Sequence, residues 1–244
     1  MKKRFRAKRS AFSLIELSIV LIIIGLLIAG VTGGASLIKS SELRSIITEA
    51  RSWAIAVNGF YNQFDALPGD YGTSVGLAST DGDGDGTIEG NGGGGTNVYE
   101  GRGAWIHLKS AGILDSTILS TTFTAVSAVA VTSFGGIIPA SKIKASGWDF
   151  DYNTTSLQNV VVLTGAMATA LSASSSNSFV KGTSIAVGAI TPTDALAIDA
   201  KFDDGVANTG KIRGILSGCF STTTYTTTDS DKECPLSYQI DVNS

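Results

Sequence analysis

Asp81-Gly82-Asp83-Gly84-Asp85-Gly86-Thr87-Ile88-Glu89 places acids at alternate positions, with glycine at the sixth and a hydrophobe at the eighth. Three carboxylates this close repel one another unless a cation sits among them. The spacing suits calcium: Asp81, Asp83 and Asp85 turn oxygens toward one ion, Gly86 allows the sharp turn, and Thr87 offers its backbone carbonyl. The twelfth position, where a bidentate glutamate belongs, is Gly92, so Glu89 or Glu100 has to complete the shell. A solvated acidic turn is the alternative. A second chemical singularity is Glu16, the sole charge between Phe12 and Val31. A carboxylate in hydrocarbon costs about 2.5–3.5 kcal/mol, so Glu16 either serves a function or, only one turn in, reaches the headgroups.

Other formal motifs carry less. The calcium stretch resembles an EF-hand loop whose last ligand is displaced. Gly72-Thr73-Ser74-Val75-Gly76 fits the pattern of a nucleophile elbow, but that elbow requires a strand before it and a helix after it. Here it follows Pro68-Gly69 in a loop. His107, the only histidine, lies in a predicted helix beside Trp105 and reads as structural. Gly90, Gly92 and Gly95 match a dinucleotide fingerprint only because the tract is glycine-rich. One histidine and two distant cysteines exclude a His/Cys zinc site. Asp203-Asp204-Gly205 reads as a turn rather than a second cation site. No enzyme is expected.

The elements that position these groups start with the membrane. Lys2, Lys3, Arg4, Arg6, Lys8 and Arg9 precede twenty residues of apolar character, which at 1.5 Å per residue span about 30 Å. The basic block keeps the N-terminus in the cytoplasm and sends the remainder across. Gly33 and Gly34 predict a soft spot. Beyond them Leu43, Ile46, Ile47, Ala50, Trp53, Ala54, Val57, Phe60, Tyr61 and Phe64 recur at spacings of three and four, so a single helix is expected from Phe12 to about Phe64. Leu67-Pro68-Gly69-Asp70 ends it.

A basic leader, a small residue, Phe12, three residues, Glu16 and an apolar run resemble the class III signal of type IV prepilins and type II secretion pseudopilins. An ordinary secretory signal is cut after its apolar region, whereas here the small residue, Ala11, precedes it. The family usually has glycine there. The resemblance implies a leader, residues 1–11, removed between Ala11 and Phe12 by a prepilin peptidase, with N-methylation of Phe12. It implies a transmembrane and filament-core helix over 12–35 and an exported α+β pilin-like domain over 36–244, its long helix packed on an antiparallel sheet. Glu16 would then pair with the Phe12 amine of an adjacent subunit. Expected partners are identical or homologous pilin subunits, the peptidase, an inner-membrane assembly platform and, before assembly, membrane lipid. The location would be the bacterial inner membrane in a single pass, then a periplasmic or extracellular filament. Calcium-stabilised loops in major pseudopilins favour the secretion branch, while the large exported domain and a C-terminal disulfide favour a surface pilus. A signal-anchored calcium-dependent adhesin that never polymerises is the rival, and a membrane-anchored hydrolase using Ser74 and His107 a remoter one.

Without its leader the chain has twelve Lys and Arg against 21 Asp and Glu, a net charge of −9. Such a balance disfavours nucleic acid, whose phosphates require basic neutralisation. In an oxidising compartment Cys219 and Cys234 have one pairing open to them, a disulfide. Downstream, the residues predict a helix over Glu100–Gly112, a buried strand over Leu157–Leu163, and a helix from the Thr191 cap to about Lys201. Strands at Lys211–Leu216 and Leu236–Val242 bracket the cysteine loop. Residues 117–146 read only as extended, and 172–178 as a polar loop. Ala66–Asp70, Ala104-Trp105 with Leu108, and Asp199–Lys211 resemble segments of a proteobacterial pilin-like group.

Overall fold

The computed structural model describes residues 13–72, 82–89, 100–115, 134–135, 138–153, 156–165, 187–216 and 218–240. It divides into two compact units, Met1–Ser41 and Glu42–Ser244. Helix α1 (Leu14–Phe64) contributes to both.

In the first unit α1 is apolar all round. Leu17, Ile22, Leu26 and Val31 each expose at least 60% of their surface. Such a stretch is long and apolar enough to cross a membrane, and none of it is buried in the protein. The expected soft spot does not interrupt it: helical hydrogen bonding continues through Gly33 and Gly34. A glycine costs only about 1 kcal/mol in a helix, which the long flanking turns absorb.

In chain order the second unit adds α2 (Glu100–Ser110), β1 (Ser146–Asn153), β2 (Gln158–Gly165), α3 (Pro192–Phe202), β3 (Ile212–Gly214), β4 (Phe220–Ser221), β5 (Thr224–Tyr225) and β6 (Leu236–Gln239). Four strands form one sheet in the order β1-β2-β6-β3, with every neighbour antiparallel. The long N-terminal helix over an antiparallel sheet makes the layout α+β and pilin-like. Ile46, Ile47, Ala50, Val57 and Phe60 form the buried stripe of α1 in this unit. The ring of Trp53 meets Trp105 of α2 edge-on at 5.1 Å, and Trp105 in turn lies 4.2 Å from Phe150 of β1. Each large side chain buried this way contributes about 1.5–3 kcal/mol.

Val160 to Leu163 are all buried, as their unbroken apolar run predicts. Period two explains how: Val161 and Leu163 join the main core, while Val160 and Val162 pack with Ile215 on the opposite face. The predicted helix start is also found, since Thr191 Oγ1 accepts from Asp194 N at 3.2 Å and Pro192 begins α3. Two elements lie outside the expectations above. One is β1, whose Trp148-Asp149-Phe150-Asp151-Tyr152-Asn153 alternates aromatic and polar residues. The other is the β4–β5 hairpin inside the cysteine loop.

Among the described residues, both outer strands of the sheet are covered in part. Beside β1, Trp148 N donates to Pro139 O at 3.0 Å, and Ala140 bridges Gly147. Beside β3, Gly214 N donates to Ala207 O at 2.8 Å and Ile212 N to Asp203 Oδ2 at 2.8 Å. One helical residue fixes the approach to β1. Glu49 accepts from Ser141 Oγ at 2.7 Å, Lys142 N at 3.0 Å and Trp148 Nε1 at 2.7 Å.

Candidate functional site

At the start of α1 the sequence Ser13-Leu14-Ile15-Glu16 closes a capping box. Ser13 N donates to Glu16 Oε2 at 2.8 Å, and Ser13 Oγ accepts from Ile15 N at 3.4 Å. Helix N-termini leave four N–H groups unpaired, which is costly in or near hydrocarbon, and Ser and Glu three apart satisfy two of them. Glu16 therefore has a local role the sequence reading passed over, although S-x-x-E before an apolar run is its signature. Glu16 Oε1 makes no hydrogen bond among the described residues. Ala11 and Phe12 lie outside the described residues.

The acidic loop forms a different group from the one its spacing announces. Ligand oxygens of Asp70, Asp83 and Glu100 all lie within 4.8 Å of one another. Asp83 and Glu100 belong to the expected set; Asp70 does not. Asp81 lies outside the described residues. Asp85 faces its own loop, accepting from Thr87 N at 2.8 Å and Thr87 Oγ1 at 2.6 Å. Glu89 is buried, and its backbone N–H donates to Glu100 Oε2 at 3.0 Å. The loop closes around Asp70: Gly84 N and Asp85 N donate to Oδ1 at 2.6 and 3.1 Å, and Gly86 N to Oδ2 at 2.9 Å.

Asp70 is 5% exposed and Glu100 2% exposed. Burial pushes the Glu100 carboxyl up to about 8, opposed by the hydrogen bond from Asp83 N and reinforced by the charges of Asp70, Asp83 and Asp85. Burial raises Asp70 as well, against the N–H groups of Gly86 and Gly84. Three carboxyl groups converge here, two of them buried, and their oxygens are of the kind a hard cation such as calcium takes, although Asp70 and Glu100 already accept backbone N–H groups.

Gly69 and His107 support this cluster from below. Gly69 has φ +93°, and its N–H donates to Nδ1 of buried His107 at 2.9 Å. Accepting at Nδ1 holds the imidazole as the neutral form with its proton on Nε2. The ring stacks on Phe60 at 5.9 Å. Ser74 lies outside the described residues. Next to the cluster, a cleft of about 530 Å³ is lined by Tyr61, Phe64, Asp65, Asp70, Tyr71 and Asn159 among others.

Asp199, Asp203 and Asp204 also approach one another, but they serve the chain itself. Asp203 Oδ2 accepts from Lys211 N and Ile212 N, and Asp204 accepts from Val206 N and Thr209 Oγ1. Asp199 on α3 accepts from Tyr225 Oη at 2.9 Å and Gly205 N at 3.2 Å, which clamps β5 to the helix. Burial first, then repulsion from Asp204 and Asp203, lifts Asp199 from an ordinary 3.8 to about 6, against the two hydrogen bonds. A folded value above the unfolded one favours the protonated form in the fold. The stability it adds is complete below about pH 4 and is lost as pH rises through about 6. Urea titrations of residues 42–244 from pH 4 to 7 should show a decline, and Asp199→Asn should make it shallower without abolishing it, because buried Glu100 and Asp70 are raised as well; an unchanged slope in the variant would assign the decline elsewhere.

The disulfide is formed between Cys219 and Cys234, both fully buried. Cys234 N and O pair with the backbone of Ile190, so the bond ties the hairpin to the segment before α3. Between the cysteines, Ser221 to Thr224 are exposed.

Residues 6–32 match the family model of the prokaryotic N-terminal methylation motif. No curated protein and no solved structure matches the chain significantly. The matched segment supports the class III signal of a type IV pilin or pseudopilin, with processing by a prepilin peptidase and membrane anchoring through the apolar half of α1. Together with the pilin-like α+β layout of the second unit, it supports a pilin-like protein.

Proposed function

We propose that this chain is a structural subunit of a helical filament of the type IV pilus or type II secretion kind. The observation that carries the reading is the methylation motif at residues 6–32, running into an apolar helix face that the protein leaves uncovered. Leader removal between Ala11 and Phe12 creates an amine at the start of that helix. Glu16, seated by its capping box at the same end, offers that amine a carboxylate oxygen from an adjacent subunit. Each charge is then neutralised in an apolar surrounding. Lipid holds the helix before assembly, and identical or homologous subunits replace it afterwards. The platform in the inner membrane drives the exchange, and the filament stands in the periplasm or outside the cell. The role is assembly rather than catalysis, and the seat of His107 against Phe60 and Gly69 supports that.

Intact mass of the chain in sheared fibres tests the reading. It should begin at Phe12 and carry one methyl group. Mature protein that keeps Lys2 to Arg9, or fibres that lack the chain, would overturn it.

Calcium belongs to the same proposal, held by Asp70, Asp83 and Glu100. When bound it supplies charge that lets three carboxylates share one place. A ligand bound only by the folded state stabilises that state, so residues 42–244 should melt about 5–10 °C higher in millimolar calcium than in chelator. Asp70→Asn with Asp83→Asn should remove the gain. The triple change at Asp81, Asp83 and Asp85 tests the part of the loop that spacing alone picks out. Superimposed melting curves with and without calcium would leave only an acidic turn.

A further inference from the structure

Two features of the second unit stand out among the described residues. The first is the cleft where α1 ends. The rings of Tyr61, Phe64 and Tyr71 line it together with exposed Asp65 and buried Asp70. The second is the turn Lys142-Ile143-Lys144, closed by Ala145 at φ +61°. Both lysines are exposed, and neither joins a carboxylate in an ion pair among the described residues. The turn is stiffly held, because Glu49 takes both Ser141 Oγ and Lys142 N. Two free cations on a fixed turn stand out in a chain whose mature net charge is −9.

The geometry points to a head-to-tail contact between copies of this chain, with the Lys142–Lys144 turn of one copy seated in the Tyr61–Asp65–Tyr71 cleft of the next. The pairing is chemically complementary: lysine stems cover aromatic faces, and the ammonium groups reach Asp65 at the cleft mouth. The two patches also lie at different heights on α1. Glu49 marks the level of the turn and Tyr61 to Phe64 that of the cleft, a separation of about 18–22 Å along the helix axis. Unlike patches can pair reciprocally across a two-fold axis or head to tail; the filament reading selects the head-to-tail pairing, which propagates into an open helical array.

The contact rests on the filament reading above. Its test uses the full-length chain in cells that make fibres, with cysteines introduced at Asp65→Cys and Lys144→Cys. Mild oxidation should give a ladder of dimers, trimers and longer species from the double variant and none from either single variant. Separately, Lys142→Asp with Lys144→Asp should lower fibre yield about tenfold or more, since like charges would then face each other. Adding Asp65→Lys should restore most of the yield. Wild-type fibres with no ladder from the cysteine pair would overturn the contact alone. A dimer from Asp65→Cys by itself, or dimers and nothing longer from the double variant, would replace it with a symmetric pairing. Absence of the wild-type chain from fibres would overturn the filament reading and this contact with it.

Discussion

Glu16→Ala should be inserted and cleaved normally and yet be missing from fibres. The substitution removes the only charge in the apolar half of the helix, so on solvation grounds alone it favours insertion. On the proposed pairing, what it takes away is the partner of a neighbour's Phe12 amine. Breaking a buried pair by deleting one member costs about 3–5 kcal/mol, enough to suppress recruitment of each new subunit by more than a hundredfold. The capping box adds a second consequence, because Ser13 N also loses its acceptor. Glu16→Gln separates the two roles. Glutamine can still accept from Ser13 N, so the cap survives while the charge goes. If charge pairing governs assembly, both variants fail. Recovery of wild-type fibre yield by glutamine would make the cap the important function, and wild-type yield from alanine would refute the pairing outright.

Gly69→Ala should be a strongly damaging single-methyl change near the acidic cluster. At φ +93° any L side chain is strained, by about 1–2 kcal/mol. A β-carbon there would also run into the backbone carbonyl of Glu100 at the start of α2. Relief requires moving either Asp70, the next residue, or the helix that carries Glu100. Both motions pull the cluster apart and loosen the bond from Gly69 N to buried His107. The summed loss should be about 3 kcal/mol or more in denaturant unfolding of residues 42–244. The calcium-dependent rise in melting temperature should disappear with it. An unfolding midpoint within experimental error of wild type would mean that the turn relaxes without disturbing α2.

The parts of this molecule written in local chemistry were legible. The long helix follows from an apolar run and a stripe at spacings of three and four. The start of α3 follows from a hydroxyl, a proline and an acid, each with its own reason to stand at a helix N-terminus. What was illegible depends on residues meeting across the chain. Asp70 lies outside the alternating acids and enters the cluster only because the loop returns over Gly69, a meeting that spacing within 81–89 does not announce. The β4–β5 hairpin turns on Thr222 at φ +59°. No glycine or asparagine announces it, and the disulfide holds a turn that propensity alone disfavours. For β1 the alternation was present, but acids at Asp149 and Asp151 resemble a solvated face. Both residues are buried, Asp149 beneath Trp105 of α2.

The covered borders of the sheet bear on the proposed assembly. Copies anchored in one membrane would meet often, and a bare strand would let them fuse by backbone pairing. Here Pro139 and Ala140 stand against the start of β1, and Ala207 and Asp203 against β3. Such partners would leave contacts between copies to side chains at those borders, and side-chain contacts are reversible where backbone-zipped aggregates are not.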